Sequence, residues 1–280
     1  MTDLTSLIFT LRPSEPSTER LPHLGKAAHA VFYDALTAVD PALAADTHDD
    51  DTTSRPFTTS GLIGYSPNRG LSPERGYRLR MTTLTAALSA ALTTAAAEDG
   101  PLAPGRTLRL DQWLFTVASA ATPDEHAPAR TYESLSAPWL LAKQWPPNRI
   151  EFEFLSPTVF KSNGHYQPIP MPGWVFGSLL QRWNAFAPVS FPDEVRRYAE
   201  ECLVLTHYDL RTHVLHLGGG AKRPGATGSA SYTAVVKDRY WLSLIHTLAD
   251  FAPYAGVGAG APMGLGQVRR AAALPNPRGD

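Results

Sequence analysis

Apolar residues alternate with polar ones at Leu7, Phe9 and Leu11, the pattern of a half-buried strand, and Pro13 and Pro16 end it. The period then changes. Between Leu21 and Val39 the residues Leu24, Ala28, Val31 and Ala35 fall on one face, which predicts a helix stopped at Pro41. Phe57 to Gly64 and Gly76 to Thr82 read as a strand pair. Leu84, Leu88 and Leu92 are spaced by four and predict a second helix, broken by Gly100, Pro101 and Pro104. Thr107 to Val117 is rich in strand formers and predicts a closing strand. The order is βαββαβ, a ferredoxin-like unit.

Five prolines between 121 and 148 suggest a linker, with a short helix over Ala137 to Gln144. The second half repeats the plan without repeating the sequence. Ile150, Phe152 and Phe154 alternate with charged residues, and Val175, Leu179 and Trp183 are spaced by four. Leu203 to Leu217 and Ser231 to Val236 predict a strand pair, Trp241, Leu244, Ile245 and Leu248 a helix face, and Gln267 to Ala272 a last strand. The expected class is α+β, with tandem ferredoxin-like, RRM-type βαββαβ domains over residues 1–122 and 149–280 and a Pro-rich linker over 123–148.

Composition narrows this picture. A chain of 280 residues, 43% hydrophobic, can bury a sizeable core. One cysteine, Cys202, excludes an internal disulfide and a Cys-based zinc site. With no signal peptide evident and no apolar run long enough to span a bilayer, the expectation is a cytoplasmic protein without a membrane partner. A net charge of −1 speaks mildly against nucleic acid as a partner, although clustering of Asp49, Asp50 and Asp51 leaves room for a basic face elsewhere.

The strongest local feature is the run Gly256-Val257-Gly258-Ala259-Gly260-Ala261-Pro262-Met263-Gly264-Leu265-Gly266. Glycines permit close backbone approach, and successive amides in such a loop can cradle phosphate. The run follows a helix and precedes a strand, the reverse of a dinucleotide fingerprint. Arg78 and Arg80, two apart on one strand, share a face that either binds a polyanion or is simply solvated. Lys222 and Arg223 form a basic tip beside Gly218, Gly219 and Gly220. His207, His213 and His216 do not share one strand face, so no metal site is expected.

The glycine run resembles the C-terminal signature of the CRISPR-associated endoribonucleases that process repeat RNA, the sixth Cas family of the RAMP superfamily. Leu155-Ser156-Pro157-Thr158-Val159-Phe160, Val175-Phe176-Gly177-Ser178-Leu179 and Arg182-Trp183-Asn184 resemble the opening of that family's second domain, and Arg55-Pro56-Phe57 its second strand. The resemblance implies a cofactor-free, metal-independent enzyme that cuts precursor CRISPR RNA once per repeat by 2′-hydroxyl attack, leaving a 2′,3′-cyclic phosphate and a 5′-hydroxyl. It implies that His48, in a loop after the first helix, is catalytic. Tyr33 on that helix would assist, and so would Arg55, the nearest cation after His48, since Asp49, Asp50 and Asp51 follow where relatives carry a lysine. His29, three to four positions from Lys26 and Tyr33 on one helix face, is the second candidate. Implied RNA contacts are Lys222, Arg223 and the loop glycines Gly256, Gly258, Gly260, Gly264 and Gly266, and the Arg78 and Arg80 face is a further candidate for RNA on its spacing alone. Other Cas subunits and a second copy of the chain are further candidate partners. The competing reading is an inactive RNA-binding scaffold of the same fold.

Overall fold

In the computed structural model, which describes residues 2–49, 54–216 and 222–271, two βαββαβ units pack side by side. Chain order is β1 (Thr5–Pro13), α1 (Gly25–Val39), α2 (Pro41–Asp49), β2 (Phe57–Thr59), β3 (Tyr77–Thr83), α3 (Ala86–Ala95), β4 (Thr107–Leu110), β5 (Trp113–Val117) and β6 (Thr122–Pro123). It continues through α4 (Tyr132–Leu140), β7 (Arg149–Thr158), β8 (Phe160–Ser162), β9 (His165–Gln167), α5 (Pro172–Phe186), α6 (Glu194–Cys202), β10 (Leu203–His216), β11 (Lys222–Ala234), α7 (Arg239–Ala255) and β12 (Val268–Arg270). The first sheet runs β2-β3-β1-β5-β4 with β6 against β1, and the second β10-β11-β7-β12. Both have the antiparallel order of a ferredoxin-like fold, in which the first strand lies between the third and the last. The helices cover one face of each sheet. Phe9, Leu11, Leu79 and Met81 meet Val31, Phe32 and Leu88 in the first core, and Phe152, Phe154 and Tyr232 meet Phe176, Leu179 and Ile245 in the second.

Beyond the short additions α6, β6, β8 and β9, three elements depart from the sequence expectation in instructive ways. The first helix ends at Val39, just before Pro41 as expected, but Pro41 then begins a second one: the Asp40 carboxylate accepts from the Leu43 amide at 3.0 Å and the Asp40 carbonyl from Ala44, so proline sits at the first helical position, where its missing N–H costs nothing. The closing strand of the first unit is a hairpin, β4 and β5, turned at Asp111 with φ 59°, a left-handed conformation that aspartate tolerates. Between 123 and 148 the helix lies at Tyr132–Leu140, earlier than Ala137 to Gln144, because Thr131 and Ser134 form a capping box at its start. Asp50, Asp51, Gly218, Gly219, Gly220 and Ala272 lie outside the described residues.

The outer face of the first sheet is partly covered by the end of α7. Arg80 projects from β3 into this junction at 8% exposure. Its Nε donates to Asp124 Oδ2 at 2.5 Å, one Nη to the Pro253 carbonyl at 2.7 Å and the other to Gln267 Oε1 at 3.4 Å. Thr82 Oγ1 donates to the Tyr254 carbonyl at 2.7 Å, and Gln267 Nε2 to the Thr59 carbonyl at 2.9 Å. Arg80 is therefore a clamp between the units and is removed from the RNA-binding set, since its donors are spent inside the protein. Arg78, two residues earlier, stays exposed.

A second junction carries a pH signature. The His246 ring is 0% exposed and stacks on Trp139 at 4.4 Å. Arg270 donates to Nδ1 at 2.5 Å, so Nε2 carries the proton and donates to the Pro147 carbonyl at 2.6 Å. Burial, then the Arg270 charge, push the His246 pKa down to about 4. A folded pKa below the unfolded value near 6.5 means that this contribution to stability is complete above pH ~6.5 and is lost as pH falls towards ~4, an effect of about 3 kcal/mol. Urea unfolding at about pH 7 and about pH 4.5 should show that loss, and His246→Gln should flatten it; equal loss in both proteins would contradict the assignment.

Candidate active site and adjoining groove

The glycine run leaves α7 at Gly256, whose φ of 66° ends the helix. Arg182, on α5, holds the loop from behind: its two Nη atoms donate to the carbonyls of Gly256 at 3.0 Å and Gly258 at 2.6 Å. The loop amides are also committed. Gly256 donates to the Ala252 carbonyl, Gly258 to Ser178 Oγ, Gly264 to the Ala261 carbonyl and Gly266 to the Pro157 carbonyl. The expected amide cradle for phosphate is therefore corrected at these four glycines: their donors close the loop on itself and on α5 and β7. Glycine is needed at Gly266, where φ is 63° and a Cβ would lie 1.9 Å from the Val257 carbonyl oxygen. It is needed also at Gly25, across the domain junction, where a Cβ would lie 1.8 Å from the Met263 carbonyl oxygen.

This close approach seats the loop on α1 and β2. The Pro262 carbonyl, presented by a 3-10 turn at Ala261–Met263, accepts from Thr59 Oγ1 at 2.7 Å and faces His29 Nδ1 at 3.2 Å. Nδ1 thus carries the proton in neutral His29, leaving Nε2 as its acceptor. The His29 ring packs 5.0 Å from Tyr33 and 5.2 Å from Phe57. Burial lowers its pKa first; the Pro262 carbonyl opposes that, while the Arg55 and His48 charges add to it.

His48 approaches the same spot from α2. It lies in the last turn of that helix and not in a loop, because the helix begun at Pro41 runs on to Asp49. Its ring is exposed and meets Tyr33 edge to face at 5.7 Å. The Tyr33 hydroxyl donates to the Thr47 carbonyl at 3.2 Å, and Arg55 Nη1 donates to the same oxygen at 2.8 Å. Burial raises the Tyr33 pKa, so the phenol keeps its proton at neutral pH. Three separate segments thus converge: His29 and Tyr33 from α1, His48 from α2, and Arg55 from the stretch before β2.

The cluster opens on a groove of about 730 Å³ between the two units, lined by His29, Arg55, Lys161, Trp174, Arg182 and Arg196 among others. The sequence reading did not assign Lys161, Arg196 or the Pro262 carbonyl to any role. Arg182 carried one signal, a charge beside Leu179 and Trp183 on an apolar helix face. The remaining expected contacts lie apart from the cluster. Lys222 is exposed at the start of β11, and the Arg223 guanidinium covers the Tyr166 ring at 4.3 Å. Arg78 borders a second cleft of about 620 Å³ with His23. Among the described residues no group of three or more His, Cys, Asp or Glu could hold a metal ion, and no helix is long and apolar enough to cross a membrane.

Known proteins resemble this chain in sequence and fold. The family profile described as CRISPR-associated endoribonuclease Cas6 matches residues 152–268. CRISPR-associated endoribonuclease Cas6 from two Mycobacterium tuberculosis strains is 33% identical over 123 residues, which is 43% of this chain and 38% of each relative. The matched stretch thus spans under two fifths of those curated relatives. Thermus thermophilus Cas6 in a product complex superimposes with TM-score 0.75 at 27% identity, covering 97% of this chain and 100% of that one. Another Cas6 product complex gives TM-score 0.74 at 25% identity, over 96% and 99%. The matched second unit and these superpositions agree: residues 152–268 match the Cas6 family, and nearly the whole chain has the tandem ferredoxin-like fold of Cas6 structures.

Proposed function

We propose that the protein is an endoribonuclease that processes precursor CRISPR RNA, cutting once within each repeat. The observation that carries this reading is the convergence of His29, Tyr33, His48 and Arg55 at the mouth of a cation-lined groove. In this reading residues 1–122 supply the cutting groups, 149–280 supply most of the binding surface, and 123–148 join them. That two similar Cas6 structures are product complexes favours the groove as a place where a cut strand rests.

The chemistry needs two proton movements. The ribose O2′ attacks phosphorus, forming O2′–P while P–O5′ breaks, so one group removes the 2′ proton and another protonates the leaving O5′. Imidazole suits either step because its ordinary pKa lies near neutrality. His48 takes the first role in this scheme, being the exposed ring of the cluster. Tyr33, whose phenol keeps its proton, gives it to the leaving O5′, and Arg55 stabilises charge developing on the phosphate. His29, held by the Pro262 carbonyl, backs Tyr33. The groups named here complete the reaction without a metal ion.

Incubating the protein with its cognate repeat RNA and a chelator tests the proposal. One cut per repeat, at the same rate with and without chelator, is expected. Tight binding with no cut would instead favour an RNA-binding scaffold, and cutting abolished by the chelator would remove the metal-free scheme.

A further inference from the structure

Two imidazoles of the first unit grip one turn of the second, the Ala261–Met263 turn with Gly264 as its cap. At one end His29 Nδ1 meets the Pro262 carbonyl at 3.2 Å, on the groove side. At the other end the His23 ring lies against Gly264, where a Cβ would come within 3.1 Å of its Cε1. His23 takes no part in the cutting chemistry. Its Nδ1 accepts from the Gly25 amide at 3.3 Å, so Nε2 carries the proton of the neutral ring. Burial lowers the His23 pKa, and hydrogen bonds to the Gly264 backbone and to its own backbone offset that only in part, so the ring is neutral at neutral pH. Between the two rings Ser60 bridges Gly264, and the fully buried Thr59 donates to the Pro262 carbonyl at 2.7 Å. Gly25 and His29 are four residues apart on α1 and share a face, and the bare Gly25 backbone lets the Met263 carbonyl settle on it. Which ring nitrogen of a histidine holds the proton is set by the partner of the other. The Pro262 carbonyl thus decides which His29 nitrogen is left as an acceptor.

We propose that Pro262 is a positioning residue contributed by the second unit: its carbonyl, locked in place by Thr59 and, through Gly264, by His23, fixes His29 in the Nδ1–H form. The glycine run then serves to bring that one carbonyl onto α1, and the cluster of the first unit is complete only while the two units are docked. The consequence for cleavage rests on the ribonuclease reading above. The tautomer lock does not, since it follows from the contacts of the turn alone.

Proton–nitrogen correlation NMR of the histidine rings in the full chain tests this, with the His29 signals assigned by their absence in His29→Gln. At neutral pH wild-type His29 should show a protonated Nδ1 and a bare Nε2, the reverse of what a solvated histidine side chain prefers. Thr59→Val keeps the shape and lacks the hydroxyl. It should shift His29 towards the Nε2–H form and slow single-turnover cleavage roughly tenfold, the size of one lost hydrogen bond. Its affinity for repeat RNA that is 2′-deoxy at the cut should match wild type, and Thr59→Ser, which keeps the donor, should restore both tautomer and rate. Gly25→Ala, whose Cβ would collide with the Met263 carbonyl, and His23→Leu, which removes the ring from Gly264, should produce the same tautomer shift by loosening the turn. Wild-type His29 protonated at Nε2 would overturn the proposal, and that measurement needs no variant to fold. A slow Thr59→Val that keeps the Nδ1–H form would overturn it too, because Thr59 would then be merely structural. The expected tautomers in a protein that never cuts native repeat RNA would sink the ribonuclease reading alone.

Discussion

Replacing His48 by alanine is expected to slow cleavage of a cognate repeat by roughly 10²- to 10⁴-fold, the usual contribution of a positioned acid–base group. Affinity for uncleavable RNA should change little. The basis is geometric. His48 is the exposed ring of the cluster, and the truncation leaves both hydrogen bonds to the Thr47 carbonyl, from Tyr33 and from Arg55, in place. The groove cations lie on other elements and are untouched. His29→Ala should cost less, since that ring is packed between Tyr33 and Phe57 and disfavours its charged form. Single-turnover rates of both variants check the order. Full activity in His48→Ala together with loss in His29→Ala would move the acid–base role to His29.

The second large effect is on stability. Asp124→Ala is expected to destabilise the fold by about 3–5 kcal/mol, because it strands the Arg80 guanidinium inside the domain junction. The carboxylate accepts from Arg80 Nε at 2.5 Å and from Ser6 Oγ at 3.1 Å, and its other oxygen accepts from the His126 amide at 3.0 Å. Burial alone would raise the Asp124 pKa, but the Arg80 charge and these donors together outweigh it and hold the pKa below the usual carboxylate value. The stabilisation is therefore fully present above pH ~4, the unfolded value, and fades as pH falls through the lower folded value. Chemical denaturation of wild type and variant at neutral pH checks the size. Replacing both partners, as Arg80→Met with Asp124→Leu, should recover part of the loss, since it removes the stranded charge. A double variant worse than Asp124→Ala would show that the Arg80 bonds to Pro253 and Gln267 dominate.

The architecture was legible where periodicity was clean. Phe9 and Leu11 alternate because one face of β1 is buried, and Phe152 and Phe154 do the same on β7. The helix at Glu194–Cys202 passed unnoticed because its apolar positions, Val195, Tyr198 and Ala199, are few among charged neighbours. Pro41 marked the end of α1 correctly but hid the start of α2, because proline both stops and starts helices and the deciding partner was the Asp40 side chain. Tyr33, His29, His48 and Arg55 were each nameable from sequence and resemblance, but their meeting depends on how far α2 runs. Arg80 could not be told from Arg78: both lie on one strand face, and only the docking of α7 separates the buried clamp from the exposed cation. Likewise nothing local in Lys161 or Arg196 marks them, because the groove they border forms only when α5, α6 and the β8–β9 hairpin come together.

The most direct test of the cluster as a cutting site is chemical. Repeat RNA carrying a single 2′-deoxyribose should be bound as tightly as the native strand and not cut there, while native RNA should yield, by mass spectrometry, one fragment with a 2′,3′-cyclic phosphate and one with a 5′-hydroxyl. Cleavage of the deoxy-substituted strand, or fragments bearing a 5′-phosphate, would contradict attack by the ribose hydroxyl and the roles given to His48, Tyr33 and Arg55.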